Sequence, residues 1–256
     1  MCNQKGGVGK TFVTTALAQY WAGLGRRVLV IDADPQANAT TILDTDLATD
    51  LGLNDLLAAA VSGTLMGARA AVSAAGPAWA RIDVIAASRG LASRETDVSL
   101  GREGRLRSVL AVLPASDWDH VLIDCPPALG MLTVNALVVA DQALVVTEPR
   151  ASAVDGVAQM VQTIAAVRTA YNPHLVLAGI VVNRFRRDRV DQREWVDTLV
   201  DYYGDSVLAS RIGDREGVSA ACSGQRPLAC GGPTADVVEA IGAVAAALTG
   251  EKGELS

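Results

Sequence analysis

Lys5-Gly6-Gly7-Val8-Gly9-Lys10-Thr11 is the stretch of this chain that decides its fold. Glycines at 6, 7 and 9 let the backbone curl until several N–H groups point at one anion. A helix begins where the glycines end. Val13, Ala16, Leu17, Tyr20 and Leu24 recur on one helical face, and Gly25 stands where a C-terminal cap belongs. The N-terminus of that helix adds its positive dipole end to the loop. Lys10 supplies a point charge for β- and γ-phosphates, and Thr11 offers a hydroxyl to Mg²⁺. The stretch departs from the common G-x-x-x-x-G-K-[ST] spacing, because Gln4 occupies the place of its first glycine. It also carries a second lysine, Lys5, at the loop entrance.

Outward from the loop, short apolar runs alternate with helical patterns. The runs are Val28–Ile31, Ile82–Ala86, His120–Ile123, Ala143–Val146 and Val176–Val182. Continuous β-branched and aliphatic runs fit strands buried on both faces. Helical faces lie between and after them, the clearest through Val154, Val157, Ala158, Val161, Ile164 and Ala165, the last through Val237, Val238, Ile241, Val244, Ala245 and Leu248. This alternation predicts an α/β fold in three layers, a mostly parallel sheet with helices on both faces. Ala59–Ala80, rich in Ala, Gly and Ser, is expected to form a loosely packed helix pair. One domain over 1–256 is expected, since domains run about 100–200 residues.

Two strands end in carboxylates. Val28–Ile31 leads into Asp32-Ala33-Asp34-Pro35-Gln36-Ala37-Asn38-Ala39-Thr40, and the run from His120 into Asp124-Cys125-Pro126-Pro127. Carboxylates at the C-terminal ends of parallel strands sit where ligands bind in open α/β sheets. Asp32 and Asp34 also fit the plainer role of capping a helix beside proline. Asp124 fits a carboxylate that holds Mg²⁺ opposite Thr11.

The loop resembles the deviant Walker A loop of the ParA/MinD superfamily of P-loop ATPases. The Asp32–Thr40 string is similar to the D-x-D-P-Q-x-N-x-T signature of its ParA-type, Soj-like partition ATPases. Thr147-Glu148-Pro149 and Val181-Val182-Asn183-Arg184 continue the resemblance, which covers nearly the whole chain. It implies ATP and Mg²⁺ as cofactors, with Gly6, Gly7, Val8, Gly9, Lys10, Thr11 and the backbone of Phe12 on the phosphates. It implies Thr11, Asp32 and Asp124 around the metal, Asp34 positioning the attacking water, and Asn183 near the adenine, although Asn183 equally fits a plain strand end. Lys5 would cross to the partner's nucleotide in an ATP-bound homodimer, acting there on the developing charge.

The net charge of 22 − 28 = −6 excludes a polycation that binds nucleic acid by bulk charge. Arg184, Arg186, Arg187 and Arg189 nevertheless put four arginines in six positions, and Arg215 lies farther on. By resemblance they would hold DNA nonspecifically once ATP pairs two copies; by themselves they also read as a solvated helix start. A ParB-like centromere-binding protein would stimulate hydrolysis. The competing expectation is a MinD-like or other switch that positions a cargo without DNA. The last helix has no basic residue before Lys252, which disfavours membrane targeting. A cytoplasmic, nucleoid-associated protein is the expected setting. Cys2, Cys125, Cys222 and Cys230 show no C-x-x-C spacing, which disfavours a structural zinc or iron–sulfur site. Only Met1–Asn3 precede the loop as candidate strand, where a strand of about six residues is usual. A first strand largely missing, with a gap and two open strand edges in mid-sheet, is therefore expected, and with it a true start upstream of Met1.

Overall fold

The computed structural model describes residues 1–45, 51–65 and 67–250. In chain order its helices and strands are α1 (Lys10–Gly23), β1 (Val28–Asp32), α2 (Asn38–Ile42), α3 (Leu53–Ser62), β2 (Val72–Ala74), β3 (Ile82–Ile85) and α4 (Arg105–Ala111). They continue with β4 (His120–Asp124), α5 (Met131–Val139), β5 (Gln142–Thr147), α6 (Ser152–Ala170), β6 (Val176–Phe185), α7 (Val190–Tyr203), β7 (Val207–Gly213), α8 (Glu216–Ser223) and α9 (Ala235–Thr249). The five expected strands are all present. The expected helix pair over 59–80 is not: α3 ends at Ser62, and Val72–Ala74 pairs antiparallel with β3 as an edge strand. Small residues without periodicity left that edge strand unmarked in the sequence. Lys252 lies outside the described residues.

Four strands run in the order β2-β3-β1-β4 and three in the order β5-β6-β7, parallel apart from β2. Every residue of β1 is buried, as a doubly covered strand requires, and its side chains alternate between two cores. Val28 and Val30 join the core under α1 and α9, while Leu29 and Ile31 join the one under α3 and α4. A third cluster packs β5 and β6 against α5, α6 and α7.

Met1–Asn3 join the two halves. The Met1 ammonium donates to the Ile123 carbonyl at 2.6 Å, and the Cys125 amide donates to Met1. On the other side Cys2 donates to Leu144 and accepts from Val146. The three residues thus complete the ladder where the sheet feeds the glycine loop. Toward the opposite end of β4 and β5 lies a cavity of about 460 Å³, lined by Leu122, Ile123, Ala143 and Leu144 among others. Val121 is 45% exposed there, although it sits on a strand in mid-sheet.

A designed extension of five consecutive apolar residues ahead of Met1 should fill this slot, since a strand covered on both faces is apolar throughout. Each apolar side chain buried contributes about 1.5–3 kcal/mol. Chain ordering cancels much of that gain, about 1–2 kcal/mol per residue. The expected outcome is a rise in melting temperature of about 5 °C or more, read by calorimetry against an equally long Gly/Ser extension. Equal melting temperatures for the two would contradict it.

Candidate nucleotide site

The glycine loop leaves the Met1–Asn3 strand, turns through Gly7 and Gly9 at φ +80° and +88°, and enters α1 at Lys10. Only glycine takes that conformation without strain. Gly9 has a second reason to lack a side chain: a Cβ there would collide with the Asn183 amide. That amide donates to the Val8 carbonyl at 2.8 Å, and the Val8 side chain is buried in the core. The end of β6 therefore holds the loop from below.

Lys10 is 6% exposed, and its ammonium donates to the Lys5 carbonyl at 3.2 Å. Burial pulls its pKa down, and the nearby Asp124, Cys125 and Asp34 pull it back up. The Thr11 hydroxyl donates to Asp124 at 2.6 Å. Thr14, one turn along α1, reaches the other Asp124 oxygen at 3.2 Å. Asp124 is fully buried, and desolvation raises its pKa against both threonines and Lys10. A buried carboxylate and a hydroxyl beside a phosphate-type loop are hard oxygen donors. That set suits Mg²⁺, which takes one or two protein oxygens and completes its shell from phosphates and water.

Asp32 stands one step back from that pair. The Thr40 amide and hydroxyl both donate to its Oδ2 at 2.8 Å, and the Asp34 amide donates to Oδ1 at 3.1 Å. The Thr40 hydroxyl in turn accepts from the Ala87 amide. Of the three residues expected around the metal, Thr11 and Asp124 meet in a hydrogen bond, and Asp32, close enough to Asp124 to feel its charge, accepts three hydrogen bonds from the loop that carries Asp34. Asp34 itself is buried, accepts from the Gln36 amide, and lies near Lys10.

Burial, then the charge of Asp124, pushes Asp32 up to about 7. Its proton is held more tightly in the folded chain than in the unfolded one. Between its ordinary 3.8 and about 7, stability therefore falls as pH rises. The nucleotide-free protein should melt at a lower temperature at pH 8 than at pH 6 by calorimetry in EDTA. A melting temperature that climbs over that range would contradict this.

Beside Gly9 lies a cavity of about 240 Å³, lined by Phe12, Asn183, Arg184, Gly213, Arg215 and Cys222 among others. Phe12 and Asn183 thus border both the loop and this cavity. The arginines are less free than their spacing implies. Arg184, at φ +55°, pairs with the buried Glu148 at 2.9 Å, and Arg150 takes its other oxygen. Arg186 pairs with Asp188, Arg189 with Asp191, and Arg215 with Asp236. Half-exposed pairs of this kind are worth about 0–1 kcal/mol, so phosphates can displace the carboxylates. Arg187 makes no ion pair among the described residues.

The family model described as AAA domain matches residues 1–177. The chromosome partitioning protein ParA of Caulobacter vibrioides is 35% identical over 239 residues, 89% of this chain and 84% of that protein. This chain belongs to the ParA/Soj family of ATPases. The sporulation initiation inhibitor protein Soj of Bacillus subtilis is 30% identical over 88% of the chain and 87% of its own length. Among solved structures, cobyrinic acid a,c-diamide synthase from Mycobacterium smegmatis, with bound ATP analog and magnesium, is 29% identical. It superposes with a TM-score of 0.78 over 100% of this chain and 97% of its own.

In this ParA/Soj-family chain Lys10 bonds to the loop at Lys5, Thr11 bonds to Asp124, and Asp34 lies near Lys10. Sequence reasoning missed Thr14, Glu148 and Asn3. Thr14 carried a signal, since it lies three residues after Thr11 on the same helical face. Glu148 was visible only as part of a family string.

Proposed function

We propose that this chain is an ATP-dependent partition ATPase whose ATP-bound homodimer binds DNA nonspecifically. The observation that carries the nucleotide part is the convergence of Lys10, Thr11, Asp34 and Asp124 on one glycine loop. Bound ATP supplies the β–γ phosphoanhydride, and Mg²⁺ the charge that steadies its oxygens. The loop N–H groups and Lys10 bind the phosphates. Thr11 and Asp124 hold the metal, and Asp32 fixes the loop that aims Asp34 at the attacking water. Phe12 contributes its backbone amide. The nucleoside end extends into the 240 Å³ cavity beside Asn183. Lys5 is the cation that crosses to a second copy. The whole of 1–256 acts as one such domain.

The DNA part rests on the relatives named for chromosome partitioning and on the arginines at the start of α7. Arg184, Arg186, Arg187, Arg189 and Arg215 are the proposed phosphate contacts, doubled on dimerisation. A ParB-like partner would trigger hydrolysis and release from the nucleoid in the cytoplasm. Among the described residues no helix is long and apolar enough to cross a membrane.

The test is retention on nonspecific DNA with ATP, ADP or neither, titrated with salt. Several phosphate contacts predict a steep loss with rising salt. Replacing Arg187 and Arg189 together by Ala should lower ATP-dependent retention at least about tenfold and flatten the salt slope by about two contacts. ADP affinity should stay unchanged. Unaltered retention in the double variant would sink the arginine assignment. No DNA binding in any nucleotide state would favour the alternative, a MinD-like switch that positions a protein cargo.

A further inference from the structure

Asn3 is 1% exposed and stands between the central strand and the phosphate loop. Its side-chain nitrogen donates to the Val146 carbonyl on β5 at 2.6 Å. Its side-chain oxygen accepts from the Lys5 amide at 3.0 Å, two residues on. That second bond is an Asx turn, the local device by which Asn bends its own backbone. Gly156 of α6 closes the back of the site: a Cβ there would lie 3.4 Å from the Asn3 oxygen. The amide is thus clamped between a strand and a helix, with both polar ends engaged.

The backbone of Lys5 is consequently fixed at its two polar atoms by different residues. Its amide is tied to Asn3 and its carbonyl receives the Lys10 ammonium. The direction in which the Lys5 side chain leaves the loop follows from that pair. We infer that Asn3 is a positioning residue that sets the exit direction of Lys5, and that dimer closure depends on it far more than nucleotide affinity does. The inference rests on the reading of Lys5 as the lysine that crosses to a second copy.

The residue type fits the task. A short amide carries one acceptor and one donor on the same planar group, so it can bend the loop and grip β5 together. Asp would set a carboxylate against the Val146 carbonyl. Ser keeps an acceptor for the Lys5 amide, in a weaker turn of the same kind, but lacks the reach to β5.

The experiment compares wild type, Lys5→Ala, Asn3→Ser and Asn3→Ala in the full chain. Dimerisation with Mg-ATPγS is measured by sedimentation velocity, and ADP affinity by calorimetric titration. Wild type and Lys5→Ala should bind ADP alike, with only wild type dimerising. Asn3→Ala should weaken dimerisation at least tenfold while ADP affinity changes less than threefold, and Asn3→Ser should fall between. Wild-type dimerisation in Asn3→Ala or Asn3→Ser, beside a monomeric Lys5→Ala, overturns the role of Asn3 and leaves Lys5 standing. Normal dimerisation of Lys5→Ala overturns the crossing lysine itself. Equal losses of ADP affinity and dimerisation in Asn3→Ser show a general part in folding the loop and also overturn the inference. If Asn3→Ala does not fold, Asn3→Ser decides alone by the same split.

Discussion

Replacing Lys10 by Ala is expected to lower ATP and ADP affinity at least about a hundredfold while the chain stays folded. Its ammonium feels the charges of both Asp124 and Asp34, and it is itself almost fully buried. A charge-assisted hydrogen bond contributes about 1.5–3 kcal/mol, and Lys10 is placed for two phosphates. Affinity should therefore fall by about 10²–10⁴, because each 1.4 kcal/mol is tenfold. The second consequence is electrostatic. Without the ammonium, Asp124 loses one of the influences that hold its pKa down. The carboxylate should then titrate higher still, and residual nucleotide binding should worsen as Mg²⁺ competes with that proton. Calorimetric titration with ADP, paired with a melting curve, reads both effects. Near-normal affinity in a folded Lys10→Ala variant would refute the placement of the phosphates.

The sequence was most legible where consecutive residues carry a local instruction. The glycine loop is one, since φ values that only glycine takes freely were required at Gly7 and Gly9. β1, β4 and β5 are others, because a strand covered on both faces must be apolar at every position. Edges were harder. β2 has three residues and β7 reads Val-Leu-Ala-Ser-Arg-Ile-Gly, half exposed, so neither stands out from a loop. Contacts made across long sequence distances were invisible. Thr14 meets Asp124 across 110 residues and Asn183 meets Val8 across 175. Asp32 shows the remaining limit. Its type and spacing fit a metal ligand, and only the fold of the Asp34 loop reveals the three hydrogen bonds it accepts there.

That division between the two aspartates carries the last expectation, a loss of hydrolysis in Asp34→Ala with nucleotide affinity intact. Among the described residues Asp34 makes one side-chain bond, to the Gln36 amide within its own turn. Removing it costs little structure and leaves the Lys10–Lys5 and Thr11–Asp124 bonds in place. A general base or water-positioning group contributes about 10²–10⁴ in rate. Turnover should fall by that factor, with an ATP-loaded dimer accumulating because the step that ends it is lost. Asp32→Asn should behave in the opposite sense. An amide at 32 would turn one end as a donor against the Thr40 or Asp34 amide, leaving a buried N–H without an acceptor, at a cost of about 1–3 kcal/mol. A lower melting temperature is expected there, with a loss of turnover that follows the displaced loop. Phosphate release, dimer fraction and melting temperature, measured on both variants, separate a residue that does chemistry from one that holds it in place. Normal hydrolysis in Asp34→Ala would remove Asp34 from the reaction and leave Asp32 as the carboxylate to reconsider.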